Sequence, residues 1–354
     1  MAAVSNREAP LAELAGGVLT PTARFYVRSH FAIPELDPSR WRLRVSGLVR
    51  RSLSLALSDI LRMPSKALTV TLECAGNGRS FMQPRVAGEQ WGYGAVSTAE
   101  WVGVPLTAAL ARAGMESSAA AIIFKGADGF ERGLTLAEAR DSEVLLVYAM
   151  NGEPLPFEHG FPVRLVVAGW YAVASVKWLT EIVVSDRPFQ GHFQTEKYVY
   201  EWERDGRPQT EPVRRQRVRA LITEPALGAR LAAGEVPIRG YAWSGEAPIA
   251  RVEVSLGAGR WLPARLLGPA DRYAWHPWEL IARLHRPGAV TVRARAIDEA
   301  GNRQPEQVEW NRQGYGNNAI QEVAFRVGES APTPRGRSRP PAPLAAGARL
   351  PAPG

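Results

Sequence analysis

Residues 68–80 read LTVTLECAGNGRS, an apolar run that ends at a cysteine and enters a glycine-bearing turn with an arginine. Leu68 to Glu73 is short, apolar and bounded by turn residues, which predicts a strand with the thiol of Cys74 at its end. A lone cysteine after an apolar strand is most often a packing residue. Arg79, five residues on, argues the other way, because a cationic neighbour and turn N–H groups favour the thiolate, the form that ligates metals. Cys74 is the one cysteine among 354 residues, which excludes an intramolecular disulfide and any cysteine-only zinc or iron–sulfur site within one chain.

From Trp41 to Ser185 the pattern mixes such strands with helices, an α+β reading. Strands are expected at Arg42 to Val49, Ala120 to Lys125, Val144 to Ala149, Val163 to Ala168 and Trp178 to Val184, each bounded by Gly, Pro, Asn or Asp. Leu106, Ala109, Leu110 and Ala113 recur at helical spacing between Pro105 and Gly114, which predicts a short helix. Thr135 with Glu138 forms a capping-box pattern at the start of another. The composition changes at Asp205 to Arg219, polar and rich in arginine and proline, which reads as a linker. Only strand signals follow, at Arg217 to Ile222, Val236 to Trp243, Ile249 to Leu256, Arg260 to Leu266, Val290 to Ile297 and Glu322 to Val327. Such regular short strands predict an all-β sandwich of immunoglobulin type. From Gly328 on, Pro, Ala, Gly, Ser and Arg dominate, and without apolar content to offset the entropy of ordering, residues 328–354 are expected to be a disordered tail.

The length suits two domains of roughly 100–200 residues each, and 45% hydrophobic with 22% charged residues is ordinary for a folded chain. A net charge of +8 admits nucleic acid, an anionic membrane surface or small anions as partners. The excess is arginine, since the lysines are Lys66, Lys125, Lys177 and Lys197 alone, and no compact basic run interleaves with aromatics, which counts against nucleic acid. Arg335, Arg337, Arg339 and Arg349 fall in the tail. Arginine suits planar recognition of oxyanions. No run of about 18 apolar residues predicts a membrane span. The first residues carry Arg7, Glu8 and Glu13 without an apolar run, so no leader is read there and the chain as written is expected in the cytoplasm, or in the periplasm if a leader precedes it. HExxH, GxSxG, P-loop and CxxC patterns do not occur.

The stretch around Cys74 closely resembles the molybdenum-binding strand and loop of sulfite oxidases and plant-type nitrate reductases. Upstream, FYVRSHFAIPELDP, starting at Phe25, resembles the family's FVRNH-x-P motif, and WGYGAVSTAEWVGVPL, starting at Trp91, resembles its W-x-x-GAIS-TA-W-x-G stretch. VYAMNGEPLPFEHGFPVRLVV, VASVKWL and GYAWSGEAPIARVEVSL continue the match in the family's order, to about Val327. The resemblance implies an N-terminal extension over 1–24, a molybdopterin-binding catalytic domain over 25–212 and an Ig-like dimerisation domain over 213–327, hence a homodimer.

It also implies a cofactor, molybdenum on a pyranopterin, with Cys74 as the protein's ligand to the metal; a soft thiolate suits that metal. His30, His159, Arg164 and Lys177 match positions that hold the cofactor's phosphate, an anion needing cations or backbone donors. Arg28, Arg79, Trp91 and Tyr198 match the substrate pocket: the arginines orient an oxyanion, Tyr198 donates near the reacting oxygen and Trp91 forms a wall. Two departures bear on the substrate. Gly78 stands where many sulfite oxidases have a second arginine, and His276 in DRYAWHPWEL is matched to a further pocket arginine, whose charge it would carry only when protonated. The activity implied is two-electron oxidation of sulfite to sulfate by oxygen-atom transfer. No haem domain is read before Phe25 or after Val327, so electrons are expected to pass to an external acceptor: a cytochrome, another carrier or dioxygen. Nitrate or sulfoxide reduction on the same cofactor, and a non-catalytic association protein built on the sandwich, are the alternatives.

Overall fold

A computed structural model describes residues 5–140, 143–204, 206–257 and 259–328, so the expected tail lies, from residue 329 on, outside the described residues. The strand ending beside Cys74 spans Lys66–Glu73, and its last four residues are buried. It pairs antiparallel with Val96–Pro105, which pairs with Val144–Met150; Glu153–Pro154 and Arg164–Val167 both pair with that third strand. Near-complete burial explains why VLLVYAM reads as an apolar run rather than an alternation.

A second sheet runs in the order Leu53–Leu55, Leu43–Gly47, Leu179–Ser185, Ala121–Gly126, Glu131–Thr135. Only the pairing of Leu43–Gly47 with Leu179–Ser185 is parallel. Val45 and Phe124 from this sheet meet Val104, Leu146 and Leu165 from the first in one core. The helix Leu106–Ala113 covers the core with Leu106, Ala109, Leu110 and Ala113, as its periodicity predicts, and stops at Gly114, which has φ 71° and donates its N–H to Leu110 O at 2.9 Å. The capping box also forms: the Thr135 N–H donates to Glu138 Oε2 at 2.8 Å, and the Glu138 N–H to Thr135 Oγ1 at 3.2 Å.

The second unit consists of two sheets. One is ordered Arg219–Glu224, Gly234–Trp243, His276–Leu284, Arg265–Leu266, and the other Arg230–Leu231, Glu322–Val327, Gly288–Asp298, Ile249–Leu256, Leu262–Pro263. Ile238 and Trp278 of the first pack against Val252, Val292 and Phe325 of the second, which makes the unit a sandwich.

The expected linker is corrected in part. Arg207–Pro212 is a strand, paired antiparallel with Val199–Arg204 in a hairpin of its own. All but the last of its side chains are exposed, so no apolar alternation marks it. Two long strands, Val96–Pro105 and His276–Leu284, carry no expectation from the sequence. Pro277 lies inside the second, where proline is ordinarily disfavoured.

Candidate active site

Cys74 leaves its strand with its N–H donated to Ala95 O at 2.9 Å, and the turn that follows closes through the Asn77 N–H on Cys74 O at 2.9 Å. The thiol is largely buried but lines two cavities that share Arg28, His30, Cys74 and Tyr198. Burial pushes the thiol pKa up, while the Gly76 N–H, Arg79 and Arg28 pull it down. Cys74 is therefore not sealed among aliphatic side chains.

The inner cavity also carries His159, Arg164, Lys177 and Asp128. Arg164 donates to His159 O at 3.0 Å and Ser175 O at 3.1 Å, and Lys177 Nζ to Ser29 Oγ and Glu158 O, each at 2.9 Å. Carbonyls and a hydroxyl orient these cations without neutralising them. Burial and the Arg164 charge bring Lys177 down to about 7. Burial, then neighbouring cations, bring His30 and His159 down to about 3. His159 Nε2 is buried with no hydrogen-bond partner. Three cations and two histidines thus line the cavity with one carboxylate, Asp128, while Glu158, bonded to Arg7, stands 3.8 Å from His159 Nε2 behind them, and an anionic ligand would complete the arrangement. A phosphate-bearing cofactor fits this chamber.

The outer cavity is an open cleft of about 490 Å3. Arg79 is fixed there by Nε on Gln313 O at 3.1 Å and Nη1 on Glu89 O at 3.0 Å, with its guanidinium 4.9 Å above the Tyr315 ring. Arg28 bonds Asn6 Oδ1 at 3.2 Å and the Ser29 carbonyl. Among the described residues, neither arginine forms a salt bridge with a carboxylate, unlike Arg7, Arg214, Arg219 and Arg312. Tyr198 holds a left-handed backbone, φ 57°, rare for a non-glycine residue. Its hydroxyl is 2.6 Å from His30 Nε2, and its ring stacks on Tyr315 with centroids 4.8 Å apart. Trp91 lines the cleft, and its buried Nε1 has no partner.

The sequence-predicted residues Arg28, His30, Cys74, Arg79, Trp91, His159, Arg164, Lys177 and Tyr198 therefore border one continuous chamber. His276 does not, and this expectation is corrected. His276 opens a sandwich strand opposite Ala242, buried with both ring nitrogens unpartnered. The segment before it folds onto the cysteine strand, with the Trp275 N–H donated to Thr71 Oγ1 at 2.7 Å and the Thr71 N–H to Tyr273 O at 2.9 Å, which directs it away from the cleft. The sandwich residues that line the cleft are Arg312, Gln313 and Tyr315. Sequence reading missed them, though WNRQGYGNN, with its aromatics, arginine and glycines, is the signal that marks the loop.

A lone cysteine at a strand end, a cationic inner chamber and two arginines free of carboxylate partners among the described residues fit a redox-metal protein with an anionic organic cofactor. A family model described as the oxidoreductase molybdopterin binding domain matches residues 30–193, and one described as the Mo-co oxidoreductase dimerisation domain matches 211–328. Mitochondrial sulfite oxidase of Mus musculus is 38% identical over 349 residues, covering 91% of this chain and 64% of the relative. The Homo sapiens enzyme is 39% identical with the same coverage. The solved sulfane dehydrogenase SoxCD from Paracoccus pantotrophus superposes with a TM-score of 0.82 at 32% identity, covering 90% of this chain and 84% of that one. The chain belongs to the sulfite oxidase family of molybdopterin-dependent oxidoreductases. It spans 64% of the length of the mammalian relatives.

Proposed function

We propose that this chain oxidises sulfite to sulfate on a molybdenum cofactor whose metal is bound by Cys74. The observation that carries the reading is the placement of Arg28, Arg79 and Tyr198 around Cys74 in one cleft, with no carboxylate among the described residues paired to either arginine. Among the described residues no three His, Cys, Asp or Glu side chains gather as a metal-ligand set, which suits a metal that brings most of its ligands with its cofactor. His30, His159, Arg164 and Lys177 would hold the cofactor's phosphate. The cofactor, when bound, supplies a metal that exchanges two electrons and transfers one oxygen atom.

Arg28 and Arg79 draw in the anion and fix its oxygens, which leaves the sulfur lone pair directed at the chamber floor. Burial raises the Tyr198 hydroxyl above the ordinary phenol range, so it stays protonated and acts as a donor. Its 2.6 Å contact with His30 Nε2 gives the hydroxyl a neighbour through which it would exchange a proton. Two electrons leave per turnover to an external acceptor, a cytochrome, another carrier or dioxygen. The boundaries that go with this reading are 25–212 for the catalytic domain and 213–327 for an Ig-like domain, and its match to a dimerisation domain supports a homodimer.

Molybdenum and pterin analysis, followed by steady-state assays with sulfite, nitrate and methionine sulfoxide, tests the proposal. The expected result is about one metal per chain, bleaching of the visible spectrum by sulfite, and sulfite as the best substrate. Sulfite ranking last would overturn it.

A further inference from the structure

The residue preceding Cys74 is an acid sealed from solvent. Glu73, 1% exposed, receives three side-chain donors: Arg219 Nη1 at 2.9 Å and Asn77 Nδ2 at 3.0 Å on Oε1, and Trp243 Nε1 at 2.9 Å on Oε2. Asn77 belongs to the Cys74 turn itself. Arg219 and Trp243 stand opposite each other on paired strands of the sandwich. Arg219 is as deeply buried as its partner; its guanidinium lies 5.2 Å from the Tyr93 ring centroid, and its Nη2 has no hydrogen-bond partner.

Two more bonds join the sandwich to the same turn. The Gly316 N–H donates to Ala75 O at 2.8 Å, and Asn317 Nδ2 donates to Gly78 O at 2.8 Å. Gly78 has φ +82°, and a Cβ added there would stand 3.2 Å from Arg219 Nη2 and 3.3 Å from Asn317 Nδ2. The space a side chain at position 78 would take is filled from the other unit.

A buried ion pair is a weak source of net stability, because desolvation offsets its attraction. What a carboxylate with three directed donors does supply is a single geometry. Here that geometry belongs to the residue joined by one peptide bond to the metal ligand.

We infer that Arg219 and Trp243, acting through Glu73, are positioning residues for the metal-binding turn, so that the sandwich sets where the Cys74 sulfur stands and cofactor retention depends on it. The inference rests on the reading of Cys74 as metal ligand proposed above. Groups that orient a metal ligand from behind typically change metal affinity by about 10- to 100-fold when removed.

The test is made on the full chain, produced in cells that make the cofactor. Wild type, Arg219→Leu, Trp243→Phe, the Glu73→Gln/Arg219→Gln pair and the sandwich-core variant Val252→Ala are compared. Molybdenum per folded chain, the visible thiolate-to-metal absorption band and Tm are measured. The expected result for Arg219→Leu is a loss of bound molybdenum of about 10-fold or more, with a shifted band in what remains. Trp243→Phe, which deletes one donor and keeps an aromatic ring there, shifts the band at nearly full folding. The amide pair, which keeps a hydrogen bond without charge, restores both readouts, and Val252→Ala lowers Tm alone. Full molybdenum and an unshifted band in Trp243→Phe and in folded Arg219→Leu would overturn the inference, whatever their Tm. If Arg219→Leu fails to fold, the Trp243→Phe band decides. A wild-type chain free of molybdenum would instead overturn the reading of Cys74, and this inference with it.

Discussion

Arg28 and Arg79 carry the same charge into the cleft but are held differently. Arg79 is locked by two backbone carbonyls and a tyrosine face, whereas Arg28 leans on Asn6 and its neighbour's carbonyl. Arg28→Gln removes charged hydrogen bonds worth about 1.5–3 kcal/mol each and should raise KM for sulfite roughly 10- to 100-fold; steady-state kinetics check this, and an unchanged KM would reject the role. The histidines give a pH prediction. His30 and His159 fall from ordinary histidine values to about 3 in the fold, mainly through burial. Between pH 6.5 and 3 the unfolded chain therefore binds protons that the folded one refuses, and stability drops as pH falls. The slope is up to about 1.4 kcal/mol per histidine per pH unit. Urea unfolding of cofactor-free protein at pH 6.5 and 5 measures it, and the double variant His30→Gln/His159→Gln should have a flatter dependence than wild type. At this scale most of the site is legible, because each residue sits in a short contiguous motif. The His276 expectation fails because its place depends on how an entire sandwich strand docks, which no local pattern encodes.

Elements legible in the sequence are those whose burial is one-sided or complete. The Leu106–Ala113 helix shows its apolar stripe, and Lys66–Glu73 ends in an apolar run. The Val199–Arg204 and Arg207–Pro212 hairpin hides because its second strand is nearly all exposed, so that charge and proline read as a linker. Val96–Pro105 hides for another reason: its ten residues include Ser97, Thr98, Glu100 and Gly103, buried or half-buried by pairing on both sides. Gly103 marks a register shift in the pairing with Val144–Met150, and a Cβ there would stand 2.5 Å from Leu146 O and 2.7 Å from Val147 Cα. Both atoms are backbone and cannot swing away. Gly103→Ala should therefore destabilise the fold by about 1–3 kcal/mol. Gly129→Ala is the comparison: its φ, +88°, is unfavourable for alanine but its surroundings are open, so only the backbone cost applies, about 1 kcal/mol. Chemical denaturation of the two variants checks the order, and equal losses would remove steric closeness as the cause.

At the scale of the whole molecule, two units that the sequence separates by composition share one site, since Arg312, Gln313 and Tyr315 complete a cleft whose floor is Cys74. The net charge of +8, part of it in the C-terminal stretch, becomes meaningful in that setting. Arg28, Arg79, Lys197 and Arg312 border the cleft against Glu89 and Glu196, so the local field favours an incoming anion. Arg312 is paired with Glu201, which leaves Arg28 and Arg79 as the principal uncompensated charges at depth. Charges exposed at the mouth are screened once the Debye length shrinks from about 30 Å at 0.01 M salt to a few ångströms near 1 M, whereas contacts at depth are screened less. Raising ionic strength from about 0.01 M to about 0.5 M should accordingly lower kcat/KM for sulfite by about 10-fold, within the range of electrostatic steering, and leave kcat within about two-fold. Matching slopes in chloride and in acetate would separate screening from competition by one anion for the cleft. Arg28→Gln should show a shallower slope than wild type, because one of the attracting charges is gone before any salt is added. A kcat/KM indifferent to salt in both proteins would mean that the arginines fix the substrate only after it arrives and play no part in drawing it in.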